Sequence, residues 1–214
     1  MAMGRPRAFD VNGALDRALE VFWRKGYEGA SIADLTRAMG INPPSLYAAF
    51  GNKEALFRKA LQRYVDEKRA FLEEAMAAPT AAEVVARLLR GSADMLADPD
   101  HPRGCLTVQG ALTCSEGADP IREELACRRA DGEAALRRRL ERAQADGDLA
   151  PGADCAALAR YVATIVQGMS VQAAGGATRA ELQAVVDTAL LAWSAMGGAV
   201  RSRRRPSRPA APSR

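Results

Sequence analysis

The sequence has one histidine, four cysteines and few aromatic residues, 5% of the chain. Each scarcity removes chemistry. With His101 alone, a multi-histidine metal site and a HExxH protease helix are both excluded. His101 also lies in a loop-like stretch, Asp98-Pro99-Asp100-His101-Pro102, which is a poor setting for a general base and argues against an acyl-transfer triad. Neither a phosphate-cradling glycine loop nor a pair of catalytic carboxylates stands out, so no enzyme, cofactor or metal is expected. The cysteines at 105, 114, 127 and 155 form no CxxC pair, and no secretory leader opens the chain. A reduced, cytoplasmic protein is the expectation. No apolar run reaches the roughly 18 residues of a membrane span; the longest, over 156–171, is interrupted by Arg160 and Gln167.

A dominant charge is lacking too. The formal net charge is +4, but six of the 30 basic residues fall in Arg201 to Arg214, which contains no acid. The remaining body is slightly acidic, so nucleic-acid binding has to be argued from local placement of charge.

What is present is helix-forming. Alanine makes up about a fifth of the chain and is the best helix former. Hydrophobic residues reach 48% against 26% charged, enough to bury a core. An all-α fold follows. Asp10 can cap a first helix bearing Val11, Leu15, Ala18, Leu19 and Phe22 on one face, ended by Gly26. Ser31-Ile32-Ala33-Asp34 reads as a capping box with Asp in the usual Glu position, opening a helix stopped by Gly40. Asn42 then caps a short helix over Pro43–Phe50, with proline where a missing N–H costs nothing. Asn52 caps a fourth helix carrying Leu56, Phe57, Ala60, Leu61 and Tyr64. Further helices are expected over Ala81–Leu96, Arg103–Cys114, Asp119–Asp146, Asp154–Ala173 and Arg179–Met196. The Arg137-Arg138-Arg139 run, with Glu133 and Glu141 nearby, reads as a solvated face.

Two short helices around a Gly-centred turn read as a helix-turn-helix, in which the first helix braces a second that can enter a major groove about 12 Å wide. The run Ala18-Leu19-Glu20-Val21-Phe22, then Gly26-Tyr27, Ser31-Ile32-Ala33-Asp34-Leu35 and Ala38-Met39-Gly40-Ile41, followed by Ser45-Leu46-Tyr47-Ala48-Ala49-Phe50 and Lys53-Glu54-Ala55-Leu56-Phe57, resembles the TetR/AcrR family of transcriptional regulators. The resemblance implies an N-terminal three-helix helix-turn-helix DNA-binding module and a C-terminal helical ligand-binding and dimerisation bundle. The expected division is residues 1–55, with a basic arm, then 56–198, then a disordered Arg/Pro-rich tail over 199–214.

For DNA contact the resemblance and the residue chemistry together single out Arg5, Arg7, Ser31, Asn42, Pro43, Pro44, Tyr47, Ala48 and Lys53. Ser31 stands at a helix N-terminus, where free N–H groups favour phosphate. Lys53 stands in the first turn of its helix, where a cation opposes the dipole and a phosphate would relieve it. Tyr47 offers a hydroxyl one position past the buried Leu46. The Pro43-Pro44 pair has no donor, so it would read bases by apolar contact. Arg5 and Arg7 could reach an adjacent groove or the backbone. A plain capping, packing or solvated role is the competing reading at each position.

The two C-terminal apolar helices resemble the family's dimer-forming pair, with Ala159, Ala163 and Gly168 allowing close approach. A small-molecule or reactive effector is expected to bind among Met95, Cys105, Val108, Leu112, Tyr161, Ile165 and Met169, which also read as ordinary core. Cys105 could be a sensor thiol with Arg103 lowering its pKa. The expected function is thus a dimeric repressor, bound to a double-stranded DNA operator and released by an effector, with no membrane involved. An activator of the same fold, an all-α enzyme using the C-terminal cavity and a non-specific binder using the Arg tail are the alternatives.

Overall fold

A computed structural model describes residues 9–112 and 118–198, in which every regular element is a helix. Arg5, Arg7, Cys114, the side chain of Leu112 and the Arg-rich tail lie outside the described residues. Among the described residues nine α-helices run in order: α1 Val11–Gly29, α2 Ile32–Met39, α3 Pro43–Phe50, α4 Lys53–Met76, α5 Ala81–Leu96, α6 Leu106–Leu112, α7 Asp119–Ala145, α8 Cys155–Ala174 and α9 Arg179–Trp193. A π-helical turn, Ser194–Gly198, continues α9 past the end expected from sequence.

Most helix starts carry a capping side chain, with two exceptions: α7 has none, and α6 begins at Leu106, three residues later than the expected Arg103. Asp10, Asn42, Asn52, Thr80, Asp154 and Thr178 each accept a backbone N–H of the first helical turn. At α2 the box is reciprocal: Ser31 Oγ accepts the Asp34 N–H at 3.0 Å, and the Asp34 carboxylate accepts the Ser31 N–H at 3.3 Å. Gly40 ends α2 in the left-handed region at φ 70°, and Ile41 N–H returns to the Thr36 carbonyl, a Schellman-type stop. Gly26 does not end α1 as expected. It kinks the helix at φ 69°, and one more turn runs to Gly29.

Two apolar clusters are formed. The first gathers α1 through Ala14, Ala18, Leu19, Phe22 and Trp23, with Leu35, Met39, Leu46, Phe50 and the first half of α4. Val11, expected in this stripe, is exposed because Ala14 takes the inward position. The same cluster takes in Leu106 of α6 and Ile121 and Leu125 of α7, so the small module is closed from behind by the larger one. The second cluster joins the C-terminal end of α4 to α5, α7, α8 and α9 around Leu89, Val162, Met169 and Trp193.

Two further expectations are corrected. Arg139 does not belong to a solvated face. It is buried and donates to the carbonyls of Met76 at 3.0 Å and Ala78 at 2.7 Å, closing the C-terminal end of α4. Arg137 pairs with Glu141, while Glu133 turns to Arg160 of α8. The small residues of α8 do not share one face either: Ala159 is fully buried in its own chain, whereas Gly168 is open.

Candidate nucleic-acid interface

Helix α3 presents one clear face outward. Leu46 and Phe50 are buried, whereas Asn42, Pro43, Pro44, Tyr47 and Ala48 are exposed. The helix carries no charged residue at all. Its outward face therefore offers apolar surface and a phenol, while its N-terminus has no free backbone donor: Pro43 and Pro44 lack an N–H, and the Ser45 and Leu46 N–H groups are bonded to Asn42. Asn42 commits its side-chain oxygen to the Ser45 N–H at 2.9 Å, so it stiffens the helix start while standing on the exposed face.

The turn before α3 is braced from α1, which sequence reading missed. Arg17 donates to the carbonyl of Met39 at 3.1 Å, satisfying an end of α2. Beside this brace, Phe9, Thr36, Arg37, Gly40, Ile41, Asn42 and Ser45 line an open cleft of about 510 Å³. Arg37 is the exposed cation of that cleft, adjacent to the chargeless α3.

Ser31 and Lys53 flank the same region but are already engaged. The Ser31 hydroxyl donates to Asp34 at 2.8 Å, and Lys25 pairs with the same carboxylate at 2.9 Å. The Lys25 ammonium, with the Ser31 hydroxyl and N–H, holds the Asp34 carboxyl at about 2. Lys53 places its ammonium 4.6 Å from the centre of the Tyr27 ring and 3.4 Å from the Glu28 carbonyl. Partial burial lowers the Lys53 pKa. The cation is thus held at the corner between α1 and α4.

Behind this surface, the segment Gly104–Thr107 ties four helices together. Trp23 of α1 donates its indole N–H to the Gly104 carbonyl at 3.2 Å. Tyr64 of α4 donates its hydroxyl to Cys105 Sγ at 3.1 Å. Cys105 N–H donates to Ser170 Oγ of α8 at 2.8 Å, and Arg129 of α7 donates to the Thr107 carbonyl. Thr107 Oγ1 also lies 3.1 Å from the sulfur. Lys68 sits over the rings of Tyr64 and Trp23, 4.7 and 5.4 Å from their centres, and its pKa is lowered by burial. Arg103 does not face the thiol as expected; it donates to the carbonyls of Gly176 and Ala177 beyond the end of α8.

Of the expected effector residues, Met169 is in the larger core, with Cys105, Tyr161 and Ile165 packed half-buried against it. Tyr161 donates its hydroxyl to the Ala189 carbonyl at 3.2 Å, joining α8 to α9. Met95 on α5 and Val108 on α6 are half-buried outside that cluster. Of the junction residues, only Tyr64 gave a sequence signal, as part of the apolar stripe of α4; the meeting of Trp23, Tyr64 and Ser170 with this segment could not be read, because it spans 41 to 81 positions.

Residues 14–60 match the family described as bacterial regulatory proteins, tetR family, and residues 81–184 match the tetracyclin repressor-like C-terminal domain. The chain is 38% identical over 196 residues to the HTH-type transcriptional repressor ComR of Escherichia coli strain K12, covering 89% of this chain and 91% of the relative. It is 35% identical over 108 residues to the HTH-type transcriptional repressor BdcR of the same organism, covering 50% of this chain and 55% of that one. Among solved structures, a cysteine variant of the transcriptional regulator CifR, complexed with 26-bp double-strand operator DNA, superposes with a TM-score of 0.86. It shares 48% identity and covers 89% of this chain and 100% of its own.

Proposed function

From the premise that the chain belongs to the TetR family and is a DNA-binding transcriptional regulator, not an enzyme, we propose that it acts in the cytoplasm as a homodimeric repressor released by an effector. The observation that carries this reading is the pairing of two outward faces. One is the exposed side of α3. The other is the exposed apolar surface of α8, α9 and the π-turn after it, contributed by Val171, Val185, Leu191 and Met196, with Leu191 exposed to 75%. Covering that second face with a copy of itself makes a four-helix interface about a two-fold axis. Two α3 helices then address half-sites about 34–36 Å apart on one duplex face.

Within each copy we assign DNA contact to Ser31, Asn42, Pro43, Pro44, Tyr47, Ala48 and Lys53, with Arg5 and Arg7 reaching the flanking groove. We set the division at residue 55, with α4 leading out of the DNA module, and assign effector binding to the part behind it. The effector is assigned to the region of Cys105, Tyr161, Ile165 and Met169. What supports this is the Gly104–Thr107 segment, bonded to the DNA module on one side and to α8 on the other. An effector that favours one arrangement of that segment changes the spacing of the two α3 helices. No helix among the described residues is long and apolar enough to cross a membrane.

Footprinting on the DNA upstream of its own gene tests the reading: a protected, roughly palindromic site is expected, and protection without sequence preference contradicts it. Leu191→Glu is expected to give a monomer by sedimentation and to lose the site. A Leu191→Glu chain that stays dimeric removes α9 from the interface.

A further inference from the structure

We propose that Tyr64 reports the state of the Cys105 sulfur to the DNA-binding helices, an inference that rests on the effector reading above. Tyr64 lies on α4, the helix that begins directly after α3. Its hydroxyl donates to Cys105 Sγ at 3.1 Å. Its ring stands edge-on to Trp23 of α1, with centroids 4.7 Å apart. Trp23 in turn donates to the carbonyl of Gly104, the residue before the cysteine. A closed circuit results: α4 to the sulfur, the adjoining peptide to α1, and α1 back to α4.

The other groups near the thiol do not make this link. Thr107 is two residues from Cys105 and travels with it. Ser170 holds the Cys105 backbone N–H and not the sulfur. Lys68 covers the two rings but has no hydrogen bond to the sulfur among those described. Tyr64 is therefore the side chain that couples the sulfur atom itself to the DNA module.

Tyr64 is only 2% exposed, so a displaced phenol finds no water nearby. A group added to the sulfur has to take the space of the hydroxyl, and a close-packed interior gives little room. Either α4 shifts against α1 or the circuit opens. Tyr64 is about 16 Å along the helix axis from Lys53, at 1.5 Å per residue. A tilt at Tyr64 is carried over that length to the end of α4 that adjoins α3.

The test uses the full-length chain with Cys105 as its sole thiol, through Cys114→Ser, Cys127→Ser and Cys155→Ala. Iodoacetamide is the probe: the sulfur forms a carbon–sulfur bond, iodide leaves with the bonding pair, and the thiol proton passes to solvent. Adduct formation is confirmed by mass, and affinity for the footprinted site is measured with and without Tyr64→Phe. The adduct is expected to weaken binding of the parent about tenfold or more, within the usual 5- to 150-fold range of such couplings, and that of Tyr64→Phe less than about threefold. Equal weakening in both chains overturns the role of Tyr64 and leaves the effector reading intact. An alkylated parent that binds as tightly as before removes the effector reading at Cys105, and this inference with it.

A second readout leaves Tyr64 in place. With Trp193→Phe, Trp23 is the sole indole of the chain. The adduct is expected to shift its emission to longer wavelength as the circuit opens to water. Unchanged emission at full adduct formation overturns the proposal.

Discussion

The indole N–H of Trp23 and the carbonyl of Gly104 meet at 3.2 Å across 81 positions of sequence. The acceptor is fixed in place by its own backbone. Gly104 has φ +87°, and a Cβ there would fall 2.0 Å from the Gln109 amide nitrogen and 2.9 Å from the Ser170 carbonyl. Trp23→Phe keeps most of the ring packing and leaves a buried carbonyl without its donor. A stability loss of about 1–3 kcal/mol is expected in urea denaturation. A loss near zero would mean that water replaces the indole.

Lys53 is held over Tyr27 at the corner between α1 and α4, where we assign it a phosphate contact. Lys53→Gln should weaken binding to all DNA sequences alike and reduce the slope of log affinity against log salt by about one. Its effect on folding should stay within about 1 kcal/mol, the scale of an exposed cation–π contact. A change in sequence preference without a change in salt slope would assign Lys53 to base reading.

Asp34 sets an acid limit on α2. Its carboxyl sits at about 2 in the folded chain, against 3.8 ordinarily, chiefly through the hydrogen bond from Lys25 and then through Ser31. A depressed carboxyl pKa contributes stability above the unfolded value and loses it as pH falls through the folded one. The contribution is therefore complete above about pH 4 and lost towards about pH 2. Urea midpoints measured across that window should fall more steeply for the natural chain than for Asp34→Asn. Parallel profiles would show that the capping box does not hold this carboxylate in solution.

Arg139 is the one buried arginine among the described residues, and its guanidinium serves three backbone carbonyls, those of Met76, Ala78 and Pro79. Arg139→Met fills similar space and strands those acceptors. A loss of about 2–3 kcal/mol is expected, with operator affinity per folded molecule unchanged. Its exposed neighbour gives the comparison: Arg138→Met should cost less than about 0.5 kcal/mol.

The capped helix starts were legible because each depends on residues within four positions of it, whereas the end of α1 at Gly29 and the start of α6 at Leu106 were not. Asn42 before Pro43, Ser31 three residues before Asp34 and Gly40 after Met39 each satisfy backbone groups of their own turn. The exposure of Tyr47 beside buried Leu46 follows from the helical period alone. The role of Arg139 was not legible, since a charged side chain in a polar helix reads as solvated until its acceptors on another element are known. The same holds for Arg103, whose partners lie 73 and 74 positions away.

The sequence by itself determined the helices, their caps and the outward face of α3, because those are short-range matters of backbone satisfaction and periodicity. Tertiary structure alone decided that Trp23, Tyr64, Cys105 and Ser170 meet. No local rule brings α1, α4, α8 and the segment leading into α6 to one point; the burial of two apolar clusters against each other does, and buried polar groups at that contact then take whichever partner packing delivers.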